Sequence, residues 1–147
     1  MKYLKLAFIS AVIFGSLLLL MSLLIPSTVR VSRAANIHAG KDAVYAMIAD
    51  TSRWREWNEM VLDSIKLTIL SNKNYHFETS WEYGGRKIHS GFRLEEAANI
   101  TVVQWYFDMK LKWYPWEKFG SIVFDKQFGP PMEKSLDNLQ KRVQNLQ

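Results

Sequence analysis

The sequence predicts an α+β domain, one antiparallel sheet covered on a single face by a long C-terminal helix, preceded by one transmembrane helix. Three observations predict it. Leu6 to Ile25 is a run of 20 residues without a charge, 16 of them apolar. From Thr28 to Leu111, apolar side chains recur at every second position in five separate stretches. Finally, Met132, Leu136, Leu139, Val143 and Leu146 follow one another at spacings of 4, 3, 4 and 3, a single apolar helical stripe.

At the helical rise, the first run covers about 30 Å, the thickness of a bilayer's hydrocarbon core. It is longer than the apolar region of a signal peptide, which has about 7–15 residues. The nearest small-residue cleavage pattern, Ser32-Arg33-Ala34, lies beyond the run and inside a strand pattern. A retained anchor over 1–27 and a folded domain over 28–147 are therefore expected. Lys2 and Lys5 flank one end of the run, Arg30 and Arg33 the other. A short N-terminus with two lysines favours the inside, which turns the domain outward.

The 147 residues allow one ordinary domain. Basic residues exceed acidic ones by 19 to 14, and two of the 19 are Lys2 and Lys5. The small excess left is no nucleic-acid footprint. With no cysteine, a disulfide framework, a thiolate metal site and a cysteine nucleophile are excluded.

Pro26-Ser27 ends the membrane helix. Val29, Val31, Arg33, Ala35 and Ile37 then share one face of a strand. Val44, Met47 and Ile48 change the period to that of a short helix over Gly40 to Asp50, and Trp54 and Trp57 continue in a second short helix or turn. Four more strands follow. Ile65, Leu67 and Ile69 align in the first; Tyr75, Phe77, Thr79, Trp81 and Tyr83 align in the second, with His76, Glu78, Ser80 and Glu82 opposite. Gly84-Gly85 is a tight hairpin signal. Ile88, Ser90, Phe92 and Leu94 face one way in the third, Lys87, His89 and Arg93 the other. In the last, Thr101, Val103, Trp105, Phe107, Met109 and Leu111 align. One dry and one wet side per strand marks a sheet covered on a single face. Pro115 opens a helix at its favoured first position, with Glu117 in the first turn. Gly129-Pro130-Pro131 is expected to interrupt it, and the striped helix follows, with Asp137 and Lys141 paired on its wet side.

Motifs for catalysis are scarce. His76 and His89 fall on wet faces and His38 at a strand end, and no helical His pair or Glu-x-x-His occurs. No serine stands in a nucleophile elbow, and no Gly-rich loop precedes a helix. Glu95-Glu96 reads as part of a turn. No catalytic residue, metal ligand set or cofactor is predicted. The aromatic residues say more: Trp81, Tyr83, Phe92, Trp105, Phe107 and Trp113 belong to the inner face or its rim. Singly, each reads as core. Together with Arg33, Thr79, Ser90 and Thr101 they read as an apolar pocket with a few polar groups. Arg33 is a cation in an apolar row, so it must pair, snorkel to the membrane-side rim or meet an anionic ligand group.

The segment Val31 to Ala39 with Val44-Tyr45, the pair Trp54-Arg-Glu-Trp57, and the stretches Tyr114 to Lys126, Gly129-Pro130 and Glu133 to Leu139 resemble the START-like helix-grip superfamily. Within it they are similar to a membrane-anchored bacterial branch of the polyketide cyclase/dehydratase-like (SRPBCC) proteins. The resemblance runs from Val29 to about Val143. It departs at Gly40-Lys41, where the family has Pro-Pro, and after Trp57, where four strands stand in place of six. A reduced helix-grip sheet is the expectation.

The resemblance implies a single-pass protein of the bacterial inner membrane that binds an apolar or amphipathic small molecule or a lipid, and no nucleic acid. Its ligand would lie between sheet and C-terminal helix, lined by Trp81, Ser90, Trp105 and Phe107, with Arg33 near one end. Two other readings stand beside it: a cyclase or dehydratase enzyme, and a reduced interaction module whose pocket is filled.

Overall fold

A computed structural model describes residues 2–145. The chain divides into two compact units, one holding residues up to Val29 with Lys110–Val123, the other Arg30–Met109 and the chain from Phe124 onward.

In the first unit, helix α1 (Lys2–Leu24) is 23 residues long, roughly 34 Å at the helical rise. Its mean hydropathy of 2.5 over an 18-residue window makes it long and apolar enough to cross a membrane. The short helix α3 (Pro115–Gly120) lies beside it. The backbone N–H of Leu111 donates to the Ser27 carbonyl at 2.8 Å, and Lys118 Nζ donates to the Ile25 carbonyl at 2.8 Å. An ammonium at that place meets the negative end of the α1 dipole.

The second unit is built on five strands: β1 (Thr28–Ile37), β2 (Lys66–Lys73), β3 (His76–Tyr83), β4 (Arg86–Ala97) and β5 (Ile100–Lys110). Their order is β1-β5-β4-β3-β2, with antiparallel pairing along β2 to β5. Helix α2 (Lys41–Ala49), a 3-10 turn (Thr51–Glu56) and helix α4 (Phe124–Gln144) complete the unit. The alternation holds: Phe77, Thr79 and Trp81, then Ser90, Phe92 and Leu94, then Thr101, Val103, Trp105, Phe107 and Met109 are all buried. Against them α4 lays Met132, Leu136, Leu139 and Val143, and α2 adds Val44, Met47 and Ile48. Leu146, the last residue of the expected stripe, lies outside the described residues.

Four expectations are corrected. The prolines do not interrupt the C-terminal helix, since α4 runs through Pro130 and Pro131. They remove two helical hydrogen bonds, and the carbonyls thereby freed belong to Lys126 and Gln127, both exposed residues. The break falls instead at a 3-10 turn, Ser121–Val123, where Ser121 Oγ donates to the Lys118 carbonyl at 2.6 Å. Glu95 and Glu96 are strand residues paired with Val102 and Thr101, and the turn is Ala98-Asn99, with Ala98 at φ +56°. β2 does not bury a clean face: the register shifts between Ile69 and Ser71, and Ile69 is 50% exposed because β2 ends the sheet. Finally Trp113 is no part of the inner face, being 70% exposed in the first unit.

Candidate functional site

Strand register decides which inner-face side chains meet. Thr79 pairs with Ser90 and Ser90 with Phe107, forming one row; Phe77, Phe92 and Trp105 form the next. The hydroxyls of Thr79 and Ser90 thus sit beside a row of large rings, and the Trp81 and Trp105 indoles each reach one of them. Trp105 Nε1 donates to Ser90 Oγ at 2.8 Å, and Trp81 Nε1 donates to Thr79 Oγ1 at 2.9 Å. The rings pack on one another: Phe92 stacks on Trp105 at 4.9 Å, and Phe107 meets Trp81 edge-on at 5.1 Å. Four of the five residues expected to bind ligand, Trp81, Ser90, Trp105 and Phe107, therefore form one buried wall.

The fifth, Arg33, is on the same face of β1 but is held by α4. Its Nε donates to Glu133 at 2.6 Å, and Nη1 and Nη2 donate to Asp125 at 2.9 and 3.1 Å. Between those carboxylates comes Gly129, where a Cβ would stand 2.1 Å from Arg33 Nη2. Asp125, Gly129 and Glu133 are four residues apart, so one helical face offers acid, gap and acid to a flat guanidinium. The Arg33 hydrogen bond holds the Asp125 carboxyl below its ordinary range, and the two carboxylates push the guanidinium pKa up.

Two residues that the sequence placed in a second short helix or turn complete the wall. Trp54 is fully buried and spends its indole N–H on the Ile48 carbonyl at 2.7 Å. Trp57 touches Phe92 and Trp105 at 6.1 and 6.4 Å, but its indole N–H has no partner. Neither has the buried Asn58 Nδ2. Reversing the Asn58 amide would not help, because its Oδ1 already accepts the Met60 N–H at 3.0 Å. This stretch is sewn under α4, with the Glu59 N–H donating to Ser135 Oγ at 3.0 Å and Asn138 Nδ2 to the Trp57 carbonyl at 3.4 Å. Among the described residues, these two buried donors, neighbours in the chain, are the buried side-chain polar atoms without a partner.

The outer face carries a charged ladder the sequence reading did not assemble. Arg30 donates twice to Asp108, both at 2.6 Å, and lies over the Tyr106 ring at 4.3 Å. His89 stands between Asp108 and Glu78, at 3.6 and 3.9 Å. Tyr106 Oη donates to Glu78 at 3.3 Å. The alternation had put Glu78 and His89 on this wet face, but only the register brings Asp108 beside His89. Among the described residues, no three His, Cys, Asp or Glu side chains group to hold a metal ion.

No family model and no curated protein matches this sequence. Solved structures do resemble it. A START superfamily protein from Mycobacterium smegmatis superposes with a TM-score of 0.62 at 16% identity, covering 80% of this chain and 99% of that one. CalU16 from Micromonospora echinospora gives 0.59 at 17% identity, over 79% and 82%. A point mutant of norcoclaurine synthase from Thalictrum, in complex with a transition-state analogue, gives 0.57 at 11% identity, over 80% and 96%. The chain thus has the START-like helix-grip fold: α+β, a five-stranded antiparallel sheet and a long C-terminal helix, with an apolar helix in front.

Proposed function

We propose that the chain is a single-pass membrane protein whose START-like domain binds an apolar or amphipathic small molecule bearing a hydrogen-bond acceptor. The observation that carries this reading is the pair of buried, unpartnered donors, Trp57 Nε1, on a ring packed against the aromatic wall, and Asn58 Nδ2, on the next residue of the chain. A buried donor left unpaired costs about 1–3 kcal/mol, which an acceptor on a ligand would recover. Trp57, Trp105 and Phe92 supply the apolar contact; Ser90, Thr79 and Arg33 are spent on partners within the chain and serve as props. The ligand's polar end is thereby assigned to the Trp57–Asn58 end of the wall. The length and hydropathy of α1 support a membrane anchor, and Lys2 and Lys5 support a domain on the outer side of a bacterial inner membrane.

Indole resonances test it. The full chain, labelled with 15N at tryptophan and held in lipid nanodiscs, is titrated with 2-naphthoate, an aromatic acceptor, and with naphthalene. A saturable downfield shift of the Trp57 indole proton with 2-naphthoate is expected. Trp57→Phe should weaken binding by about tenfold, the worth of one such hydrogen bond. If neither compound moves an inner-face indole, ligand binding is refuted. A second reading then takes its place, a filled domain that serves as an interaction module. It is favoured by the way Trp105 and Trp81 consume the hydroxyls of Ser90 and Thr79.

A further inference from the structure

We infer that Trp113, Tyr114, Trp116 and Ile122 form a second membrane contact, an aromatic belt lying in the headgroup zone of the bilayer that α1 crosses. The inference rests on the reading of α1 as a membrane anchor and adds a surface to it. All four residues belong to the same compact unit as α1. Their height along the bilayer is set by two hydrogen bonds: Lys118 Nζ reaches the Ile25 carbonyl, and Leu111 N–H reaches the Ser27 carbonyl, each at 2.8 Å. Ile25 and Ser27 are the first and third residues after α1 ends at Leu24. The 110–123 segment is therefore fastened where the span leaves the hydrocarbon.

At that level the chain exposes what an aqueous surface disfavours. Trp113 is 70%, Trp116 72% and Ile122 71% exposed. Tyr114 stacks on Trp116 at 5.0 Å and meets Trp113, tilted by 55°, at 5.3 Å, so the three rings make one cluster. Amphipathic rings gather at the membrane–water interface, where the ring body is dry and the N–H or O–H is wet. The charge agrees: the segment holds Lys110, Lys112 and Lys118 against Glu117 alone, and Lys110 and Lys112 are exposed. Ammonium groups beside such rings suit the phosphates of a bilayer surface. The occupant of this face is accordingly a phospholipid interface. The contact ties the 110–123 segment to the bilayer at a second point beside α1.

The absence of cysteine makes a direct test possible, since any cysteine introduced is the sole thiol. The full chain is spin-labelled at Ile122→Cys or, separately, at Val12→Cys in the middle of α1, then reconstituted in phosphatidylcholine–phosphatidylglycerol vesicles. Collisions with oxygen and with a water-soluble nickel chelate report depth. The oxygen-to-nickel ratio at residue 122 should lie severalfold above that of the free label in buffer and below that at residue 12, matching insertion of roughly 5–10 Å. Trp113→Ser with Trp116→Ser should return the residue 122 ratio severalfold towards the aqueous value. The chain without cysteine provides a second measurement, in which brominated lipids should quench part of the tryptophan emission and lose that effect in the double variant. A deep label at residue 12 with an aqueous one at 122 overturns the belt and leaves the anchor standing. An aqueous label at residue 12 overturns the anchor reading, and the belt with it. A label at 122 shielded from both quenchers means that protein covers this face, which also overturns the proposal.

Discussion

The hydroxyl of Ser90 accepts the indole N–H of Trp105 at 2.8 Å in the middle of the core, where both residues are fully buried. A serine on a dry sheet face would ordinarily be an unexplained polar group. Here it is the acceptor that lets a tryptophan be buried at all. Removing it strands the indole donor, whereas removing both partners leaves an apolar gap with no orphan.

The first prediction follows from that asymmetry. Ser90→Ala should lower stability by about 1–3 kcal/mol. Trp105→Phe alone loses contact area, and in the double variant Ser90→Ala costs less than it does alone. Urea unfolding of the full chain in micelles, followed by near-UV circular dichroism, measures the cycle. Strict additivity would mean that the hydrogen bond carries no coupling.

The grip of α4 is the second. Leu136 and Leu139 are 1% and 0% exposed and belong to the cluster that joins α4 to the sheet. Leu136→Ala and Leu139→Ala should each cost roughly 2–5 kcal/mol, the range for buried leucines. Losses under about 1 kcal/mol at both sites, in the same unfolding measurement, would show that the helix does not close the core.

These contacts bear on how much the sequence disclosed. Period-2 patterning exposed β1, β3, β4 and β5 and their dry faces, because burial on one side imposes alternation residue by residue. Gly84-Gly85 announced its hairpin, and both glycines have positive φ, +58° and +75°. The other two hairpins turn at Asn74-Tyr75 and Ala98-Asn99, where Asn74, Tyr75 and Ala98 take positive φ. Asparagine favours that conformation, but tyrosine and alanine do not, so strand pairing on either side imposes it on them and the local signal was weak. The edge strand β2 misled for a related reason. Ile65, Leu67 and Ile69 alternate, but β2 is an edge of the sheet, and Ile69 stays half exposed. The site was legible in part. The four wall residues share a face by alternation, while the partners of Arg33 lie 92 and 100 residues away. The unpaired Trp57 and Asn58 donors emerge only once the segment after the 3-10 turn, the sheet and α4 are all in place.

The outer ladder carries a pH dependence. Paired hydrogen bonds from Arg30 hold the Asp108 carboxyl below its ordinary range, against the opposing effect of partial burial. A carboxyl whose folded pKa is depressed contributes stability above its unfolded value, about 3.9. That contribution fades as the pH falls through the lower folded value. Arg30→Gln should therefore move the acid-unfolding midpoint to higher pH, as seen by tryptophan emission. An unchanged midpoint would show that the ladder does not contribute to acid resistance.

The last prediction concerns Gly129 and Arg33. A Cβ at residue 129 would stand 2.1 Å from Arg33 Nη2, 2.8 Å from Cζ and 3.2 Å from Nε. All three atoms are the far end of a flexible side chain, so an alanine there is accommodated by the guanidinium swinging outward. The swing loosens its bonds to Asp125 and Glu133. Those carboxylates are 64% and 63% exposed, and ion pairs so wet contribute little, about 0–1 kcal/mol. Replacing glycine by alanine in a helix interior ordinarily stabilises by about 1 kcal/mol, a gain reduced here because a Cβ on residue 129 crowds the Cδ of Pro130. The two effects oppose each other, and Gly129→Ala should come within about 1 kcal/mol of the unmodified chain in urea unfolding. Its signature lies elsewhere: released from Arg33, the Asp125 carboxyl should titrate higher, towards its ordinary range, which carboxyl 13C shifts would record. Gly129→Leu adds a side chain that the guanidinium cannot clear while α4 stays on β1, so that variant should be markedly less stable. A loss of more than about 2 kcal/mol in Gly129→Ala would mean instead that Arg33 is fixed in place and that its two carboxylates lock α4 to β1.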